Sequence, residues 1–264
     1  MKLKYSSKGT GEPIILLHGM FGSGGNLRLL NQALSNEHLV VTPDLRNHGQ
    51  SPNTQEMNYP CMAKDVIELM DSLNLFQATI IGHSMGGKIA MQVALNHAHR
   101  VSNLVVVDVS PVKYDTDCHS KVIEGLNALV KAKPLSRKEA DKLLSVYVKD
   151  LPIRGFLLKN LVHGTDGKLI FQLYMKSINA NYHSHLALAP TGEPFTGPSL
   201  FIKGGNSPYI QDEHLSEISR LFPKVQHACI SNSGHWVHAE KPTEFNQIII
   251  DFLRIQSGKK IGLL

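Results

Sequence analysis

The sequence predicts an α/β fold, a mostly parallel central sheet flanked by helices, with one helical insertion. Three observations carry that prediction. The runs Ile14-Ile15-Leu16-Leu17, Leu104-Val105-Val106-Val107 and Leu200-Phe201-Ile202 are apolar without alternation, as in strands buried on both faces. Stretches with apolar residues at helical spacing lie between the early strands, and strand and helix alternating at this interval build a parallel sheet. From Val112 to about Phe195 the strand signal disappears, then it resumes.

The elements follow in order. The first buried run stops at His18-Gly19-Met20-Phe21-Gly22, a glycine-rich loop, and residues 26–34 then place Leu27, Leu30 and Leu34 at helical spacing. Leu39-Val40-Val41 is a short strand closed by Pro43-Asp44. The turn cluster at 44–52 contains Asp44, Arg46 and His48, which an Asx-type turn with local ion pairing accounts for better than catalysis does. Residues 62–73 are amphipathic, with Met62, Val66, Leu69, Met70 and Leu73 opposite Lys64, Asp65, Glu68 and Asp71. Thr79-Ile80-Ile81 is β-branched and leads into Gly82-His83-Ser84-Met85-Gly86; a helix follows, with Ile89, Ala90, Val93 and Ala94 on one face.

The 104–107 strand ends at Asp108-Val109-Ser110-Pro111, and open α/β sheets place their functional groups at the carboxyl ends of strands. Helical patterns at 122–130 and 138–148, interrupted by Pro134, Pro152 and Gly155, make residues 112–195 a helical cap on a core formed by 1–111 and 196–264. Val225 to Ile230 is the last expected strand. Pro242 opens a final helix whose core face is Phe245, Ile248, Ile249, Phe252 and Leu253, and 257–264 reads as a loose tail.

Composition narrows the partners. A 264-residue chain with 42% hydrophobic and 19% charged residues can bury one substantial core. The net charge of +5 is spread along the chain, so no stripe for nucleic acid is visible. No segment approaches the ~20 apolar residues of a membrane span, and the first residues lack the apolar core of a signal peptide. The expectation is a cytoplasmic protein with no stable membrane insertion. Cys61, Cys118 and Cys229 are odd in number and widely spaced, which reads as free thiols. His183 and His185 lack a third ligand nearby, so neither a metal nor a cofactor is expected.

Gly82-His83-Ser84-Met85-Gly86 has the Gly-x-Ser-x-Gly form, in which a strand turns sharply into a helix and pushes the serine into a strained, exposed position. Taken alone, it is equally a glycine-rich turn with a solvated serine. Residues 82–88 also match the phosphate-cradling pattern Gly-x-x-x-x-Gly-Lys-[Ser/Thr] up to its last position. Ile89 stands there, without the hydroxyl that would hold Mg²⁺.

Ser84, an acidic residue and His235 occur in the chain order Ser, Asp, His. With HGMFG at 18–22, DLRNHGQS at 44–51, GHSMGGK at 82–88, DVSPV at 108–112, GGNSPY at 204–209 and GHWVHAEKP at 234–242, the chain resembles the α/β-hydrolase superfamily over nearly its whole length, and more narrowly the YbfF-type bacterial esterases. The resemblance implies the α/β-hydrolase fold with its cap after the strand ending at Asp108.

It also implies a serine hydrolase that cleaves carboxyl esters or acyl thioesters of small to medium acyl groups, acyl-CoA included, with Ser84 as nucleophile and His235 as base. Most of the superfamily carries its acid in a Gly-x-x-Asp-Pro context, where this chain has Gly205-Asn206-Ser207-Pro208. The acid is then Asp108, at the location some members use, with Asp212 as the alternative. The oxyanion donors are the backbone N–H groups of Met20 and Met85, with Phe21 as the substitute and His18 as a supporting residue. Ser207 is either a support bonded to His235 or Asp108, or a turn serine. Carbon–carbon bond hydrolases and perhydrolases share the same triad, and a non-catalytic ligand receptor shares the fold.

Overall fold

A computed structural model describes residues 1–115, 119–165 and 167–258; Cys118 and residues 259–264 lie outside the described residues. The first half alternates as expected: β1 (Tyr5–Lys8), β2 (Pro13–Leu17), α1 (Arg28–Leu34), β3 (Leu39–Pro43), α2 (Tyr59–Ser72), β4 (Ala78–His83), α3 (Met85–Asn96) and β5 (Val101–Val107). Next come α4 (Ser120–Ala132), α5 (Arg137–Leu144), α6 (Leu151–Leu157), β6 (Leu161–His163), β7 (Leu169–Phe171) and α7 (Met175–Asn181). The chain returns to the sheet with β8 (Ser199–Gly204), α8 (Leu215–Leu221) and β9 (Val225–Ile230), and closes with α9 (Val237–Glu240) and α10 (Pro242–Gln256).

Among the described residues the main sheet has seven strands in the order β1-β3-β2-β4-β5-β8-β9. Only β1 runs antiparallel to its neighbour. The unbroken apolar runs are explained by the two cores they serve. Ile15, Leu17, Ile80, Leu104, Val106 and Phe201 face one side, with α2 and α3. Ile14, Leu16, Ile81, Val105, Val107 and Ile202 face the other, with α1 and α10. Successive side chains of a strand point to opposite faces, so a strand covered on both faces is apolar wherever it meets these cores. On α10, Phe245, Ile249 and Phe252 are buried, each contributing roughly 1.5–3 kcal/mol.

Two parts of the fold differ from the sequence reading. Tyr5–Lys8 forms an exposed edge strand that carries no apolar signal. The stretch between β5 and β8 is not wholly helical, because β6 and β7 pair as a short antiparallel ribbon; strands of three residues are too short to display an alternation. Among the described residues no helix is long and apolar enough to cross a membrane.

The region after β5 is tied to the core by polar contacts. Tyr59 Oη donates to the Leu186 carbonyl at 2.6 Å, and Asn47 Nδ2 to Ser177 Oγ at 3.0 Å. Lys88 of α3 is buried, and its ammonium donates to the carbonyls of Val112, Ala187 and Leu188 at 2.8, 3.3 and 2.6 Å. It also lies 4.7 Å from the centre of the Tyr114 ring, a cation–π contact. The residue that completed the partial phosphate-loop match thus joins both ends of the inserted region to the helix behind Ser84. Burial lowers its pKa to about 7.

Candidate active site

The site begins at the β4–α3 junction. Ser84 has φ 53° and ψ −118°, outside the regions L-residues prefer, a strain of about 1–3 kcal/mol. The turn closes because both flanking glycines lack a side chain. A Cβ on Gly82 would lie 2.1 Å from the Gly86 carbonyl oxygen, and one on Gly86 would lie 2.3 Å from that of Leu17. Ser84 therefore stands at the carboxyl edge of the sheet with its hydroxyl off the backbone path.

His235, in the turn between β9 and α9, brings Nε2 to 2.9 Å from Ser84 Oγ. Its Nδ1 lies 2.7 Å from Asp108 Oδ2, so the Nδ1–H tautomer leaves Nε2 free to accept from the serine. Asp108 is fully buried just beyond β5, with φ 51°, and its charge is met on both oxygens. Oδ1 accepts from the Gly204 N–H at 2.8 Å, while Oδ2 also accepts a short hydrogen bond from Ser207 Oγ. A buried carboxylate with this many donors is held in one orientation. Asp212 lies exposed in the turn Asp212–His214, and the imidazole proton that an acid would accept already points at Asp108.

Two residues around His235 went unnoticed in the sequence. His83 Nε2–H donates to the His235 carbonyl at 2.8 Å, which holds the loop carrying His235 against β4. Burial, reinforced by His238 and His235, keeps the His83 pKa well below its usual value. The Tyr209 ring stacks on the imidazole at 4.1 Å. Neither contact has a local signature, since each partner is more than twenty residues distant. A histidine inside the Gly-x-Ser-x-Gly turn was the only available hint.

The loop after β2 is built by two neutral histidines. His18 Nε2 accepts from the Leu45 N–H at 3.0 Å, and its Nδ1 bonds the Gly19 carbonyl at 2.8 Å. His48 Nδ1 bonds the Arg46 carbonyl at 2.9 Å, and its Nε2 accepts from the Phe21 N–H at 3.2 Å. Burial pushes His18 down to about 4 and His48 to about 3. Phe21 is thereby corrected as an oxyanion donor: its N–H is already committed to His48. The N–H groups of Met20 and Met85 have no protein acceptor among the described residues, and the loop abuts the nucleophile closely enough that a Cβ on Gly19 would lie 3.3 Å from Ser84 Cβ. Arg46 is corrected too. Its pairing is not local but a buried bidentate contact with Asp65 of α2, at 2.6 and 2.9 Å.

A cavity of about 210 Å³ opens over Ser84 and His235, lined from the core by Leu27 and Trp236 and from the inserted region by Val122, Ile153 and Phe156. His183 and His185 are exposed in the turn Tyr182–Leu186, away from it. Among the described residues no three His, Cys, Asp or Glu side chains group as metal ligands would. The arrangement brings together a hydroxyl, an imidazole, a buried carboxylate and two N–H groups with no protein acceptor among the described residues.

Comparison with known proteins agrees with this geometry. The family model described as α/β hydrolase fold matches residues 12–145. The chain is 40% identical to the mouse sn-1-specific diacylglycerol lipase ABHD11, over 91% of this chain and 80% of that protein. It is 36% identical to esterase YbfF of Escherichia coli K12, over 88% and 89%. A solved structure described as a marine microorganism esterase superposes with a TM-score of 0.92 at 38% identity, over 95% of this chain and 99% of that one.

Proposed function

The chain belongs to the α/β-hydrolase family and is by its relatives an ester-cleaving hydrolase, and from that premise we propose that it acts through an acyl-enzyme on Ser84, with His235 as base, Asp108 as acid and 112–195 as a cap over the site. The observation that carries this reading is the unbroken hydrogen-bond chain from Ser84 Oγ through His235 to Asp108.

Each group has one task. His235 Nε2 takes the Ser84 proton as Oγ attacks the acyl carbon, and Asp108 holds the tautomer and offsets the imidazolium charge. The N–H groups of Met20 and Met85 receive the oxyanion, each such donor being worth about 3–4 kcal/mol. His235 returns the proton to the leaving oxygen as the acyl-enzyme forms, and water repeats the sequence in reverse. The same groups serve an acyl thioester, acyl-CoA included, because only the leaving atom changes. The free thiols Cys61 and Cys229 suit a reducing, cytoplasmic setting.

The test is Ser84→Ala. Hydrolysis of p-nitrophenyl acetate should fall by a factor on the order of 10⁴ or more, with the melting temperature held because alanine keeps the Cβ and the same backbone conformation. Near-normal turnover would refute the nucleophile.

A further inference from the structure

Two cavities, not one, meet at Ser84. The large one of about 210 Å³ contains His235 and runs outward along Trp236, Ile153 and Phe156. A second of about 40 Å³ shares Met20, Ser84, His119 and Tyr209 with the first, contains Met85 but not His235, and is walled by Tyr59, Val109, Tyr182 and Leu186.

The tetrahedral carbon decides which part of a substrate goes where. Its four substituents are Ser84 Oγ, the oxyanion, the leaving atom and the acyl chain. The leaving atom must lie within reach of the proton on His235 Nε2, so it and what it carries occupy the cavity that contains His235. The oxyanion lies toward the N–H donors. The acyl chain is left the cavity that reaches Ser84 but does not contain His235, and that is the small one.

Resting on the acyl-enzyme reading above, we infer that the substrates are esters of short, uncharged acyl groups with long apolar alcohols. At ~10–15 Å³ for each water-sized group, the small cavity takes about three groups beyond the acyl carbon, so butyryl is near its limit. The large cavity takes roughly fifteen. Charge is selected as well as size. Lys88 lines the small cavity, but its three N–H bonds are spent on the carbonyls of Val112, Ala187 and Leu188. A terminal carboxylate on the acyl group therefore finds no unspent cation among the described lining residues.

Hexyl acetate and ethyl hexanoate test this. They are isomers with the ester reversed, so their overall hydrophobicity is nearly matched and only the placement of the long chain differs. Hexyl acetate is expected to have the higher kcat/KM by about tenfold or more, the discrimination that excess methylenes produce in a closed pocket. Leu186→Ala, which lengthens the small cavity, should raise ethyl hexanoate turnover and leave hexyl acetate nearly unchanged. Equal or reversed rates in the unmodified enzyme overturn the inference, as does turnover of neither ester by a protein that still hydrolyses p-nitrophenyl acetate. Loss of p-nitrophenyl acetate hydrolysis as well would instead overturn the serine-hydrolase reading beneath it.

Discussion

Asp108→Asn changes one atom of the site and separates the roles assigned to its carboxylates. Three donors converge on Asp108: Gly204 N–H on Oδ1 at 2.8 Å, and His235 Nδ1 at 2.7 Å with Ser207 Oγ on Oδ2. An amide offers one acceptor oxygen and one NH₂ donor. With its oxygen toward Gly204, the NH₂ faces His235 Nδ1, and the imidazole must move its proton to Nε2. Ser84 then loses its proton acceptor, and the loss is about 10⁴-fold in kcat, the size expected of a wrong tautomer in an otherwise intact triad. With the amide reversed, two donors oppose each other at Gly204 in a fully buried position, costing about 1–3 kcal/mol. Either orientation is damaging, the first to rate and the second to stability. The assay is kcat/KM on p-nitrophenyl acetate beside the melting temperature, with Asp212→Asn as the comparison. A loss below roughly tenfold for Asp108→Asn with an unchanged melting temperature, or an equal loss for Asp212→Asn, refutes the assignment, since a factor of ten is only about 1.4 kcal/mol.

The other predictions concern the supports of the site. Ser207→Ala removes one donor from Asp108 Oδ2, so kcat/KM should fall roughly tenfold, and an unchanged kcat/KM reduces Ser207 to a turn residue. His18 and His48 predict acid lability. In the unfolded chain both take up protons near pH 6.5, whereas in the folded state they do so only at about 4 and about 3. The unfolded state therefore binds more protons below pH 6.5, and stability is full above that value and lost as pH falls toward 3. For His18 alone the difference is ~3 kcal/mol. Urea midpoints at pH 7.5, 5.5 and 4.5 should decline in that order, and a flat series contradicts the neutral, buried assignment.

What could be read from the sequence was whatever neighbouring residues determine. Both-face burial leaves unbroken apolar runs, so β2, β4, β5 and β8 were visible. The nucleophile turn was visible because its glycines and serine are adjacent. Asp108 could be singled out because a strand's carboxyl end is a position readable in sequence, and its choice over Asp212 rested on the family resemblance. Contacts between distant segments left no such trace. The commitment of the Phe21 N–H to His48 depends on how the 44–52 turn docks against the β2 loop, and the Arg46 pair depends on where α2 lies. Lys88 sits on a helix buried on all sides, and its matching carbonyls come from Val112 at one end of the inserted region and from Ala187 and Leu188 at the other. The two cavities at Ser84 are both lined by the inserted region, one by Val122, Ile153 and Phe156 and the other by Tyr182 and Leu186, which no local pattern encodes.

The central claim is that Ser84 is a nucleophile activated through His235, and covalent labelling reads it without choosing a substrate. Incubation with a fluorophosphonate, followed by peptide mass spectrometry, should place one phosphonyl adduct on Ser84. The adduct should be absent in Ser84→Ala and form far more slowly in Asp108→Asn. An unlabelled Ser84 in the folded protein, or labelling indifferent to Asp108, would contradict the account.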